Sequence, residues 1–220
     1  MKVELIAITQ PVIEECSTAE ELVAYCARVS NPANQANNKT ATKLVEYLIN
    51  NKHWSPLEMV SLTIGIETTR DIARQILRHR SFSFQEFSQR YAAVTNFAAP
   101  REARLQDTKN RQNSVEIENE DLELWWERAQ AVLIKRANDT YVEALEQGIA
   151  KEVARSVLPE GLTESSLYMA GTLRSWVHYC MLRMGNGTQK EHKEIAEACW
   201  KVICKQFPSL VEVIPNERTL

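Results

Sequence analysis

"VSLTIGIETTRDIARQILRHRSFSFQEFSQRY", residues 60–91, changes its apolar period twice. Val60, Leu62, Ile64 and Ile66 alternate with Ser61, Thr63 and Gly65, the period of a strand with one buried face. From Thr68 or Thr69, either of which can cap a helix, Ile72, Ala73, Ile76 and Leu77 recur at helical spacing. The helix is expected to end near Arg80 and the chain to turn through Ser81–Gln85. Beyond the turn, residues 86–90 and on to Thr95 read as extended, which puts Glu86, Ser88 and Arg90 on one side. A strand, a helix and a second strand in 32 residues place helices against a sheet.

Working outward, "VELIAIT" (3–9) and "SSLYMAGT" (165–172) read as further strands. A Ser/Thr-capped helix starts near Ser17 and carries Leu22, Tyr25, Cys26 and Val29 on its inward face. After the polar loop 31–38, a helix from Thr40 to Asn51 turns Leu44, Tyr47 and Leu48 inward. Residues 98–116 form a charged, loop-like insertion. The long helix 119–147 has acidic residues in its first turn, as the helix dipole favours, and keeps Leu122, Trp125, Trp126, Ala129, Val132, Leu133, Tyr141, Ala144 and Leu145 on one face. The paired tryptophans belong to the core or to a subunit interface. Short helix 148–156, helix "LRSWVHYCMLRM" (173–184) and a last helix 188–206 follow, the last burying Ile195, Cys199, Val202 and Ile203. Without a regular βαβ alternation the expected class is α+β: one domain over 1–220, with long helices packed on a mixed or antiparallel sheet.

The 29 acidic and 26 basic side chains leave a net charge of −3. A general nucleic-acid binder should show a basic excess, so that class is disfavoured, although a local basic pocket is compatible. Five scattered cysteines without a C-x-x-C pair suit reduced thiols better than a disulfide frame or a zinc site, and no metal is expected. Neither a signal-peptide core nor an apolar run of membrane length is present, so the expectation is a soluble, cytoplasmic protein.

The stretch from Gln75 to Arg90 is rich in groups that suit phosphate. Gln75, Arg78 and His79 share a helix face, and with Arg80, Glu86, Ser88 and Arg90 they would surround one concavity. Arginine forks and a serine hydroxyl fit phosphate oxygens, and Gln75 or Glu86 could read the polar edge of a base or ribose. Two other readings of the stretch are a solvated helix end with Glu86 as ion partner, and an RNA strip with interleaved phenylalanines. At the level of the whole protein, a nucleotide-binding regulatory module without turnover also stays open.

In these residues the chain resembles the flavin-dependent thymidylate synthases. Their signature, R-H-R followed after seven residues by S-x-R, stands as Arg78-His79-Arg80, Ser88 and Arg90. The upstream element H-x-[ST]-P-x-E stands as His53-Trp54-Ser55-Pro56-Leu57-Glu58, and "ARSVLP" (154–159), "LRSWVHYCMLR" (173–183) and Gln189 match downstream segments. The resemblance spans about residues 20–207 and implies a homotetramer with sites at subunit interfaces. It implies formation of dTMP from dUMP, with FAD, with methylenetetrahydrofolate as carbon donor and with NADPH as reductant. By position it assigns FAD to Ser55, Arg78, His79, Arg80, Glu86, Thr172, Leu173, Arg174 and His178. It assigns dUMP to Gln75, Ile76, Leu77, Arg78, Glu86, Phe87, Ser88, Gln89, Arg90, Arg155 and Arg183. Arg183 matches the arginine that favours ionisation of uracil N3 and is the expected catalytic group. Thr172 stands where many members have a flavin-binding asparagine, and "MGNGTQ" (184–189) lacks an acidic residue common there.

The smaller signals divide. His53 is a site candidate through the resemblance alone, and Arg155 could otherwise cap a helix C-terminus. His192, beside Glu191 and Glu194, has no metal spacing and reads as surface. Among the cysteines, Cys180 lies between His178 and Arg183, yet the resemblance gives it no role and no cysteine nucleophile is expected.

Overall fold

The structure, a computed structural model, describes residues 1–211 and 213. In chain order its elements are β1 (Lys2–Ile8), α1 (Ala19–Ala27), α2 (Ala41–Asn50), β2 (Ser61–Thr69), α3 (Arg70–Ile76), β3 (Ser83–Glu86), β4 (Arg104–Gln106), β5 (Ser114–Glu116), α4 (Glu120–Glu146), α5 (Lys151–Ala154), β6 (Glu164–Thr172), α6 (Leu173–Arg183) and α7 (Lys190–Gln206). The class is α+β, and the main sheet is antiparallel throughout, in the order β1-β2-β6-β3.

The β2–β6 pairing positions the site. The two strands pair over their whole length, from Ser61 opposite Thr172 to Thr69 opposite Glu164. Helix α3 therefore leaves the sheet at one end and α6 at the other, and both run back across it. Leu62, Ile64, Ile66, Leu167 and Met169 alternate inward and are essentially sealed by Ile72 and Ile76 of α3, Trp176 and Val177 of α6, and Ile195 and Ile203 of α7. Trp176 keeps its indole N–H satisfied by donating to the Leu62 carbonyl at 3.2 Å.

Several expected boundaries and faces are corrected. Helix α3 stops at Ile76 instead of near Arg80, because residues 83–86 are claimed by β6 as an edge strand. Ser88–Ala92 is a turn, with the N–H groups of Tyr91 and Ala92 both donating to the Ser88 carbonyl, so residues 86–90 are not continuously extended. On α1 the buried face is Ala19, Glu20, Val23 and Ala24, while Val29 is 68% exposed. Thr18 caps that helix reciprocally with Glu21, and the Glu20 carboxylate turns inward to accept from Thr42 Oγ1 and the Ser209 N–H. On α2 the face is Ala41, Val45, Leu48 and Ile49, with Tyr47 outside. The 98–116 insertion contains the hairpin β4–β5. Along α4 the apolar face exists but lies largely open: Trp125, Val132 and Leu133 are exposed, and Gln130, Ala137 and Tyr141 are buried. Among the described residues no helix is both long and apolar enough to cross a membrane.

Candidate active site

The C-terminal ends of α3 and α6 meet over the sheet. Arg183, the last residue of α6, donates Nε–H to His79 Nε2 at 2.9 Å. A guanidinium can only donate, so His79 is a neutral imidazole accepting through Nε2. Burial first, and the Arg183 charge second, push its pKa down to about 4. The ring stands edge-on to Tyr179 with centroids 4.8 Å apart.

Gln75 belongs to the same group, and so does His192, which is a correction: it is fully buried, not on the surface. Its Nδ1 lies 3.2 Å from Gln75 Oε1 and its Nε2 lies 3.2 Å from the Tyr179 hydroxyl. The signal was present in the sequence, since 192, 195, 199 and 203 form one helical stripe, and a polar residue on that stripe is buried with partners.

A second group lies at the start of α6. Thr172 caps the helix by accepting from the Ser175 N–H at 3.3 Å, and Leu173 is in the core. Arg174 donates to Glu58 in the turn Ser55–Met59, and the His178 ring packs edge-on against Trp54 at 4.4 Å. Burial first and Arg174 second lower the His178 pKa. Ser55 is exposed, and His53 lies edge-on to Tyr47 at 6.1 Å. Ser175 Oγ donates to the Ser81 carbonyl at 3.3 Å and so ties this group to the chain that follows α3. Between the two groups Arg78 and Arg80 are exposed and, among the described residues, have no ion-pair partner.

The third group stands apart. Arg90 Nε lies 3.4 Å from the Glu152 carboxylate, and Arg155 Nε donates to the Glu152 carbonyl at 3.3 Å. Glu86 does not join the arginines after α3: its Oε1 accepts from Ser165 Oγ at 2.9 Å and faces Arg70 Nη1 at 3.5 Å, at the sheet edge. Ile76 is core and Leu77 is half-buried, Phe87 is partly exposed, and Gln89 is buried with Nε2 unpartnered. The expected single concavity is therefore divided within one chain, because the turn after Phe87 carries Ser88 and Arg90 away from β3.

A cavity of about 800 Å³ lies between the β4–β5 hairpin, the first turns of α4 and the 185–190 turn. Trp125, Trp126 and Arg111 line it, and so do Arg104 and Gln189, which also bond to Glu191. None of residues 75–90 or 172–183 lines it. Arg70, Ser165, Tyr179 and Glu191 were not anticipated, since only the fold brings them to the named groups. Among the described residues no three His, Cys, Asp or Glu side chains converge as metal ligands.

Residues 11–209 match the family model described as thymidylate synthase complementing protein. The chain is 52% identical to a protein of Paramecium bursaria Chlorella virus 1 described as a probable flavin-dependent thymidylate synthase, covering 97% of this chain and 99% of that one. It is 49% identical to a flavin-dependent thymidylate synthase of Synechocystis, with 97% and 99% covered. A solved structure, the UMP/dUMP methylase PolB of Streptomyces cacaoi bound with 5-Br dUMP, superposes with a TM-score of 0.79 at 28% identity over 94% of this chain and 92% of that one.

Proposed function

The chain belongs to the flavin-dependent thymidylate synthases, and from that premise we propose that it reductively methylates dUMP to dTMP, with methylenetetrahydrofolate as carbon donor, FAD as hydride carrier and NADPH as reductant. Residues 1–220 act as one domain. The observation that carries the reading is the Arg183–His79 bond beside Gln75, with the exposed guanidiniums of Arg78 and Arg80 nearby in sequence and without an ion-pair partner among the described residues.

The residues present fit FAD. Two exposed arginines without carboxylate partners among the described residues suit a pyrophosphate, which accepts forked N–H donors. Ser55, Arg80, Arg174 and His178 would hold the cofactor with Arg78, and Leu173, whose side chain is in the core, would contribute backbone. FAD, when bound, supplies the hydride that side chains cannot. Everything else falls to this chain's own groups. With Nε committed to His79, Arg183 holds its remaining N–H donors toward the uracil and stabilises negative charge there as the N3 proton leaves, which enriches C5 as a nucleophile. Arg90 and Arg155 take the phosphate, and Gln75 takes a polar edge of the base or sugar.

No cysteine is needed. Burial raises the pKa of Cys16, Cys26 and Cys180 and pushes Cys204 up to about 11, while Cys199 is raised by the same cause, so all five favour the thiol over the nucleophilic thiolate. Because Arg90 and Arg155 lie apart from Arg183 in one chain, the site is completed across subunits of a homotetramer. The exposed apolar face of α4 offers surface for such an assembly. The test is the visible spectrum of the purified protein with and without dUMP, coupled to a dTMP assay. Flavin absorption perturbed by dUMP is expected, and a protein that binds no FAD on titration overturns the reading.

A further inference from the structure

We propose that His192 is a positioning residue that locks the Gln75 amide in one orientation toward the nucleotide, through a hydrogen-bond chain whose direction is dictated from its far end. The inference deepens the reading above and rests on its assignment of Gln75 to dUMP.

The far end is Glu191. Arg104 Nη2 donates to Glu191 Oε1 at 2.5 Å. Burial favours the protonated carboxyl, but its own backbone N–H, Gln189 and the charges of Arg104 and Arg101 outweigh that and hold the pKa below the ordinary value. A carboxylate only accepts, so Gln189 must present Nε2 to Oε2, at 2.9 Å. Gln189 Oε1 is then left to accept, and Gln75 must donate to it with Nε2, at 2.7 Å. That leaves Gln75 Oε1 facing His192 Nδ1, which must carry the proton. His192 Nε2 is then an acceptor, and the Tyr179 hydroxyl donates to it.

Every step follows from the one before. Flipping the Gln75 amide would set its oxygen against the Gln189 oxygen at 2.7 Å, so the alternative is closed. One hydrogen of Nε2 and one lone pair of Oε1 remain on Gln75 for a ligand. His192 is suited to the task because burial first, then the charges of Arg183 and His79, push its pKa down to about 3, keeping one donor and one acceptor on the ring. Tyr179 keeps its proton for the same reason of burial, and its ring also meets His79, the partner of Arg183.

The test titrates FAD-loaded His192→Leu, His192→Gln, Tyr179→Phe and Gln75→Ala proteins with dUMP, following flavin absorbance, with FAD affinity and thermal melts measured alongside. Leucine keeps the volume without polar groups. Glutamine again offers an N–H to Gln75 Oε1 and an oxygen to the Tyr179 hydroxyl. His192→Leu should raise the dUMP Kd roughly tenfold, the worth of one hydrogen bond and its stranded partner, with FAD affinity within about twofold of the parent. His192→Gln should bring dUMP back to within about threefold even where its melt stays lowered, which a packing role would not do. A folded His192→Leu protein with unchanged dUMP affinity overturns the proposal, and so does failure of glutamine to rescue. Where His192→Leu does not fold, Tyr179→Phe decides, since it removes only the hydroxyl: a loss of about threefold or more is expected, and an unchanged Kd overturns it. Gln75→Ala separates the two readings. Unchanged dUMP affinity there removes Gln75 from the nucleotide site and this proposal with it, whereas a loss there without one in His192→Leu sinks this proposal alone.

Discussion

A methyl group added at Gly171 tests how firmly the R-H-R segment is anchored. An alanine Cβ there would stand 2.5 Å and 2.7 Å from Cδ1 and Cε1 of Phe82, and 3.3 Å from its Cγ. Carbon atoms settle at about 3.5–4.0 Å, so the ring must retreat by roughly 1 Å. Gly171 is held near the end of the interior strand β6, paired with Leu62, and the ring is backed by Trp176 at a centroid distance of 4.9 Å. Overpacking of this kind costs about 1–3 kcal/mol. For a chain of this size each kcal/mol moves Tm by about 2–4 °C, so Gly171→Ala should melt roughly 2–12 °C below the parent. Phe82 lies two residues past Arg80, and Ser81 is held by Ser175, so the displacement should also weaken FAD binding, by about threefold or more. Combined with Phe82→Leu, the penalty should fall short of the sum of the single variants by at least about 0.5 kcal/mol, the mark of a direct contact. A Gly171→Ala protein that melts within about 1 °C of the parent and binds FAD normally would mean that Phe82 yields freely and does not anchor the segment.

Other perturbations separate folding from function. His79 and His192 have folded pKa values of about 4 and about 3 against an ordinary 6.5, so below pH 6.5 the unfolded chain binds protons that the native chain refuses; stability should fall steadily from about pH 6.5 toward pH 4, and a melt series flat over that range contradicts it. Asp71 and Glu191, whose pKa values are lowered, add a second loss as pH falls below the ordinary carboxylate range. Arg78→Ala should leave Tm nearly unchanged and abolish tight FAD binding, whereas Arg101→Ala, which breaks a two-pronged bond to Asp71 at 2.8 Å and another to Thr69, should lose about 1.5–3 kcal/mol of stability by denaturant titration. Cys180→Ala should keep dTMP formation within about tenfold once folding is confirmed, and a loss of several orders of magnitude would restore a thiolate mechanism. Reassembling an Arg90→Ala variant with an Arg183→Ala variant should return about a quarter of parental activity, because in a closed assembly each site draws the two residues from different, randomly assorted subunits; zero activity places both in one chain.

Much of the fold was legible where one period ran unbroken. Strand β2 shows three alternating aliphatics, Leu62, Ile64 and Ile66, and these and Val60 just before it are all buried. The errors have separate physical causes. The expected helix from Ser17 to Val29 has apolar side chains at 22, 23, 25, 26 and 29, enough for two overlapping stripes; α1 ends at Ala27, and its packing against α2 and the 55–59 turn chose the stripe through Val23. Strand β3 was missed because its partner, Leu167–Ala170, lies some 80 residues downstream and leaves no local trace. On α4 the periodicity identified an apolar face and could not say whether this chain or another covers it. At the site, Glu86 and Arg90 were expected to face Gln75 on a continuous strand that the turn at Ser88 interrupts.

The antiparallel pairing of β2 and β6 accounts for the cationic character of the site. Two helices launched from opposite ends of a pair of strands, and folded back over them, bring their C-terminal ends together. Each end exposes carbonyls and the negative pole of a helix dipole, which favours a nearby cation by about 0.3–1 kcal/mol. Arg78, His79 and Arg80 follow the end of α3, and Arg183 closes α6. Arg78, Arg80 and Arg183 can therefore gather there without a carboxylate partner among the described residues. His79 contributes by staying neutral: as an acceptor it steers Arg183, where an imidazolium would repel it. Had Asp or Glu balanced these arginines, each anionic ligand would have to displace a carboxylate before binding. Helix-end dipoles and one uncharged imidazole instead leave Arg78, Arg80 and Arg183 available as forked donors, whereas Arg174 and Arg90 keep Glu58 and Glu152 as partners.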